Sequence, residues 1–155
     1  MKVYLMQHAE ALTKEEDPER ALSEKGRLQI DDMASFVKDR IAHIPTIIYH
    51  SGKTRARQTA ELFAQEVMPD GVVASANGLE PLADPAVWAE RLTQIHEDVM
   101  LVGHLPHIGK LVSFLVTGAV TGDHVAVRNA GIICLESDDA RRWTVCWTIS
   151  PDVLK

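Results

Sequence analysis

This chain is poor in cysteine, has no long apolar run and carries no basic excess. Cys134 and Cys146 are its only cysteines in 155 residues, and they form no Cys-x-x-Cys pair. A reduced, cytoplasmic protein with two free, buried thiols is the simplest expectation. No apolar stretch approaches the roughly 20 residues needed to cross a bilayer. The N-terminus offers only Val3 to Met6 as a consecutive apolar run, with no small-residue cleavage pattern behind it. Neither a membrane anchor nor a signal peptide is expected. Lysine and arginine number 16 against 22 aspartates and glutamates, a net charge of −6. That argues against sequence-independent nucleic-acid binding, which needs a basic face, and leaves room for a local cationic pocket. The acidic run Glu15-Glu16-Asp17, with Glu19 after it, reads as a solvated loop.

What is present suits one globular domain over residues 1–155, with 46% hydrophobic and 25% charged residues. Lys2 to Met6 reads as a first strand. Ser23 is a plausible N-cap for a helix running to about Ala42, with Ile30, Met33, Val37 and Ile41 at helical spacing. Thr46 to Tyr49 makes a second strand, and a helix from about Thr54 to Glu66 turns Ala56, Ala60 and Phe63 toward the core. Val72 to Ala74 is a short strand, followed by an irregular loop through Asn77-Gly78 and Pro81. A helix from Asp84 or Pro85 to about His96 precedes a buried strand, Val99 to Val102. Pro106 falls in the first turn of the next helix, whose apolar face is Ile108, Leu111, Val112, Leu115 and Val116. The C-terminus reads as a hairpin: Gly131 to Glu136, a turn, then Arg142 to Ile149 with two-residue alternation. Strands alternating with helices and ending in a hairpin predict an α/β fold. Its sheet is mostly parallel with an antiparallel edge.

Chemistry-bearing residues gather at strand ends. Gln7-His8 follows the first strand, and Gly103-His104 follows a later one. Between them His50-Ser51-Gly-Lys-Thr-Arg55-Ala-Arg57-Gln58-Thr59-Ala60 follows another. Open α/β sheets place their ligand crevice outside the C-terminal ends of the strands, so both histidines can meet there. Two imidazoles and an arginine at a helix start suit work on a phosphoryl group. A neutral imidazole can attack phosphorus, while guanidinium and helix N-terminal N–H groups stabilise the phosphoryl oxygens. His107 forms a His-x-x-His pair with His104, but no cysteine or carboxylate stands nearby at ligand spacing, so no metal is expected. His43, His96 and His124 read as surface. His50 is either a pocket residue or a structural one, and Arg57 reads as surface or support.

Four segments in order resemble the histidine phosphatase (phosphoglycerate mutase-like) superfamily, most closely its small SixA-type phosphohistidine phosphatases. They are Met6-Gln7-His8-Ala9, Leu22-Ser23-Glu24-Lys25-Gly26 with Arg20 before it, Ser51 to Ala60, and Val102-Gly103-His104-Leu105-Pro106. The resemblance spans Met1 to about Gly109. It implies a three-layer fold with a mixed, mostly parallel sheet of about six strands and helices on both faces. It also implies that His8 is the nucleophile and carries the phosphoryl group as a phosphohistidine intermediate. Arg55 and His104 would bind the phosphoryl oxygens, with Gln7, Ser51 and Arg20 as further phosphate contacts and no metal or cofactor. Glu80 is the candidate general acid, the alternative being a loop carboxylate.

The family usually has arginine and glycine where this chain has Gln7 and Ala9. Glutamine keeps its donors but loses the charge and the fork. Arg20 is the candidate to replace that charge. Two functions follow. The first is a phosphatase acting on a phosphorylated protein (a phosphohistidine domain) or a small phosphorylated substrate. The second is a non-catalytic phosphate-binding module weakened by Gln7.

Overall fold

The computed structural model describes residues 1–122 and 124–155. Its first half runs β1 (Lys2–Gln7), α1 (Glu24–Arg40), β2 (Ile47–His50), α2 (Thr54–Val67) and β3 (Val72–Ser75). The second half is α3 (Pro85–Gln94), β4 (Val99–Gly103), α4 (His107–Thr117), β5 (Ile132–Ser137) and β6 (Trp143–Ile149). Among the described residues one sheet of six strands has the order β3-β2-β4-β1-β5-β6. β1, β2, β3 and β4 pair in parallel, and β5 and β6 join antiparallel. The mostly parallel sheet with an antiparallel edge follows the sequence pattern, and its three layers and six strands are those the family resemblance implied.

Alternation along the strands splits the core into two layers. Tyr4, Met6, Ile48, Met100 and Val102 pack against Ile30, Met33 and Val37 of α1 and Ala60 and Phe63 of α2. Val3, Leu5, Val99 and Leu101 pack against Trp88 and Leu92 of α3 and Ile108, Leu111 and Val112 of α4. β1 and β4 are neighbours at the centre and buried on both faces. That explains their unbroken apolar sequences.

The helix starts follow their chemistry. Ser23 caps α1 by accepting from the Gly26 N–H at 3.0 Å, and Asp84 caps α3 by accepting from the Ala86 N–H at 2.9 Å. Pro106 stands at the cap of α4 rather than inside its first turn. Gly26 is required by space: a Cβ there would run into the carbonyl of Glu10. The Gly26→Ala variant is therefore expected to lose about 2 kcal/mol, as overpacking does, which lowers Tm by roughly 5 °C in a domain of this size. A thermal melt unchanged within a degree would contradict this reading.

One expectation needs correction: Cys134 is buried, but Cys146 is exposed. Exposure alternates along β6 as expected, with Thr144, Cys146 and Thr148 exposed between half-buried Trp143, Val145, Trp147 and Ile149. A bulge lies within the strand, where Cys134 pairs with Trp147 and Leu135 with Val145. Trp147 and Ile149 pack into the layer under α1 and α2, whereas Trp143 and Val145 pack into the layer under α3 and α4.

Candidate active site

Parallel pairing of β1 with β4 puts Gln7 opposite Gly103, so His8 and His104 leave adjacent strand ends together. Their rings lie 5.0 Å apart between centroids, inclined by 56°. The His8 N–H donates to the Gly103 carbonyl at 3.0 Å, which ties the two strand ends at that point.

His8 is 9% exposed. Its Nδ1 lies 2.7 Å from the Ala9 carbonyl oxygen. A carbonyl only accepts, so in the neutral ring Nδ1 carries the proton and Nε2 holds a lone pair. That acceptor, an adjacent backbone carbonyl, had no signal in the sequence. Arg55 Nε donates to His8 Nε2 at 3.3 Å, which marks Nε2 as the nitrogen facing the guanidinium. Burial, assisted by the charges of Arg55 and Arg20, lowers the His8 pKa to about 4. The ring is therefore neutral at pH 7, the form a nucleophile needs.

His104 is 2% exposed, and its Nε2 shares a hydrogen bond with Ser51 Oγ at 2.6 Å. Burial, then the neighbouring His8 and Arg55, lowers its pKa to about 3. Ser51 thus reaches the site through His104. His50, buried at the end of β2, accepts from the Gly52 N–H through Nδ1 at 3.0 Å and holds the turn that presents Ser51.

The Arg-Ala-x-Gln-Thr segment is organised by hydrogen bonds. Thr59 Oγ1 donates to the Arg55 carbonyl at 2.7 Å and accepts from the Ala9 N–H at 3.0 Å, linking the arginine's helical turn to the residue after His8. Gln58 Oε1 accepts from the Leu22 N–H at 2.8 Å, which docks the loop that carries Arg20. Arg57 pairs with Glu61 on the exposed face of α2, as expected for a supporting residue.

Arg20 lies at φ 51°, a left-handed conformation that non-glycine residues adopt at a cost. It is held there by its N–H to the Asp17 carbonyl at 2.9 Å and by Nε to the Leu12 carbonyl at 3.0 Å. Its charge is felt at both His8 and Arg55. Gln7 ends β1 with its side-chain Oε1 buried and without a hydrogen-bond partner among the described residues. Glu80 Oε2 accepts from the Gly78 N–H at 2.8 Å, so this carboxylate is engaged with its own turn. His107, read from sequence only as a neighbour of His104, is fully buried with both ring nitrogens unpartnered among the described residues. His43, His96 and His124 are exposed.

A family model for the histidine phosphatase superfamily (branch 1) matches residues 3–75. That match takes in the segments that carry His8, Arg20 and Arg55 and stops at the end of β3. The chain is similar to the structure of the protein histidine phosphatase SixA complexed with tungstate, at 25% identity over 100% of both chains and a TM-score of 0.85. An Agrobacterium tumefaciens protein assigned to the SixA group shares the fold at 24% identity, 97% coverage of both chains and a TM-score of 0.77. So does a phosphoserine phosphatase mutant of Entamoeba histolytica in complex with phosphoserine, at 16% identity, 99% coverage of both chains and a TM-score of 0.70. Comparison with functionally curated proteins finds no match. The superfamily match and the likeness to the SixA structure support phosphatase activity. Among the described residues no helix is long and apolar enough to cross a membrane.

Proposed function

We propose that this protein is a phosphohistidine phosphatase working through a phosphorylated His8. The observation that carries the reading is the pair of contacts on the His8 ring. The Ala9 carbonyl fixes the proton on Nδ1, and Arg55 stands at Nε2. In the first step the Nε2 lone pair attacks phosphorus, and the bond from phosphorus to the leaving group breaks. Arg55 takes charge developing on the phosphoryl oxygens, with His104 as a second contact. In the second step water attacks phosphorus, the phosphorus–Nε2 bond breaks, and orthophosphate leaves.

The choice of phosphohistidine rests on the leaving group. An alcohol must take up a proton as it departs, and Glu80, the candidate donor, is bonded to Gly78. Among the described residues no carboxylate hydrogen-bonds to His8 or His104. An imidazole protonated before the bond breaks needs no such donor.

Gln7 sets the rate. A hydrogen bond to a charged group is worth about 1.5–3 kcal/mol, against about 1 for a neutral one. The glutamine therefore leaves the site roughly 10-fold slower than an arginine would. The test is hydrolysis of a phosphohistidine-bearing protein and of p-nitrophenyl phosphate, side by side, for wild type and Gln7→Arg. Wild type is expected to turn over the phosphohistidine substrate with the higher kcat/KM, and Gln7→Arg to raise both rates about 10-fold. A site that binds phosphate but turns over neither substrate in either form is the binding module instead.

A further inference from the structure

Arg55 also lines a groove of about 290 Å³ whose lining reaches beyond the residues of the two-step reaction to Lys14, Glu19 and Lys53. Its walls carry Lys14, Arg20, Lys53 and Arg55, against Glu19 as the one acidic side chain lining it. Four cations on one small concavity stand out in a chain of net charge −6. The neighbouring acidic run does not neutralise them fully. Glu16 Oε2 accepts from the Thr13 N–H at 2.8 Å. The Asp17 carboxylate accepts from the Glu19 and Ala21 N–H groups at 3.1 and 2.8 Å. Both carboxylates are thus turned into their own loop. Among the described residues Lys14 and Lys53 form no salt bridge.

The groove is continuous with the phosphoryl site, because Arg55 belongs to both. Arg55 lines the groove, and its Nε donates to His8 Nε2. Arg20 lines the groove, and its charge acts on His8. Lys53 stands two residues after Ser51, the partner of His104, and its charge acts on His104. Lys53 is also the cap residue of α2 and makes no side-chain capping bond. An ammonium only donates and cannot satisfy the helix's first N–H groups, which add to the positive potential there.

We propose that this groove binds a second anionic group of the substrate, next to the phosphoryl group, with Lys53 as the residue that selects for it. This rests on the phosphatase reading of the His8 site. A phosphoryl group seated on Arg55 leaves the rest of the groove empty and positive. A second anion on the same molecule fills it and holds the phosphorus in register with His8. The anion has two possible sources: an acidic side chain flanking the phosphorylated residue of a protein, or an acidic group of a small phosphoester.

Two matched substrate pairs separate them. One is a phosphohistidine peptide with aspartates beside the phosphorylated residue against the same peptide with asparagines. The other is 3-phosphoglycerate against glycerol 3-phosphate. Wild type is expected to favour the anionic member of at least one pair by about five-fold in KM, the size of a partly exposed charge contact. Raising salt should shrink that preference. Lys53→Glu is expected to reverse it, and Glu19→Gln to increase it. Opposite responses of two exposed positions cannot come from a folding defect. No preference in either pair, or a preference that both variants leave unchanged, overturns the proposal. If no substrate turns over, the phosphatase reading fails on its own. The groove is then judged by calorimetric titration of 3-phosphoglycerate and glycerol 3-phosphate: tighter binding of the former, lost in Lys53→Glu, supports it, and equal affinities overturn it.

Discussion

His8→Ala is expected to abolish turnover, by at least about 10³-fold, on every phosphorylated substrate the protein accepts. Removing a nucleophile removes the pathway, and what remains is the modest assistance of the surrounding charges. Arg55 and His104 persist in the variant, so phosphate affinity should change far less than rate. The check is a pair of measurements on one preparation. Rapid quench with radiolabelled substrate should show phosphate bound covalently to wild type and none on His8→Ala, under alkaline conditions that preserve phosphohistidine. Phosphate titration should show binding to both. A variant with near-native turnover would mean that another group attacks phosphorus. The loss should not be a loss of fold, because the structural bonds around His8 run through its backbone: its N–H to the Gly103 carbonyl, and its own carbonyl from the Asn129 side chain at 3.0 Å.

The second large effect is on stability in mild acid. Four histidines are buried: His8, His50, His104 and His107. Burial lowers the pKa of each, to about 4 for His8 and about 3 for His104. In the unfolded chain each returns to the ordinary value near 6.5. Between pH 6.5 and 4 the unfolded state therefore binds more protons than the folded one, and stability falls as pH falls through that window. One pKa unit corresponds to about 1.4 kcal/mol, so His8 and His104 alone withdraw several kcal/mol by pH 4. A domain holds on the order of 5–15 kcal/mol in total. Melting curves at pH 7.5, 6, 5 and 4 should show Tm falling steadily below pH 6.5, with the protein close to unfolded at pH 4. His107→Leu removes one of the four, an imidazole with no hydrogen-bond partner on either nitrogen among the described residues. It should melt higher than wild type at pH 5. A Tm that holds constant from pH 7.5 to 5 would refute the buried-histidine account.

Much of this could be read from the amino acids. Apolar runs at Val3–Met6 and Val99–Val102 announced strands, the second of them buried, and Ser23 and the Asp84-Pro85 pair announced helix starts; all four hold. The site residues most tied to strand ends, His8 and His104, come together because β1 and β4 pair directly. Less visible was anything that depends on a single backbone atom or on register. The Ala9 carbonyl that fixes the His8 proton is identical in sequence to any other carbonyl. The β6 bulge beside Cys146 changes no residue type, only the pairing opposite Cys134. His107 stood out in the sequence only as the second member of a His-x-x-His pair with His104. Its burial follows from the way α4 lies on the sheet, with Ile108, Leu111 and Val112 in the core beside it. The groove around Lys53 joins two loops distant in sequence, so no local pattern could signal it.

The strand order has a consequence for a chain still being synthesised. β4 lies between β1 and β2, so the strand that leads into His8 and the one that leads to Ser51 and Arg55 do not pair with each other. Until residues 99–103 emerge from the ribosome, His8 and Arg55 follow two unpaired strands, linked through the Ala9 N–H on Thr59 Oγ1 and the packing of α1 on α2. Insertion of β4 closes the sheet between them and brings His104 in the same event. A nascent chain that ends before β4 therefore holds His8 and Arg55 without the histidine that faces them.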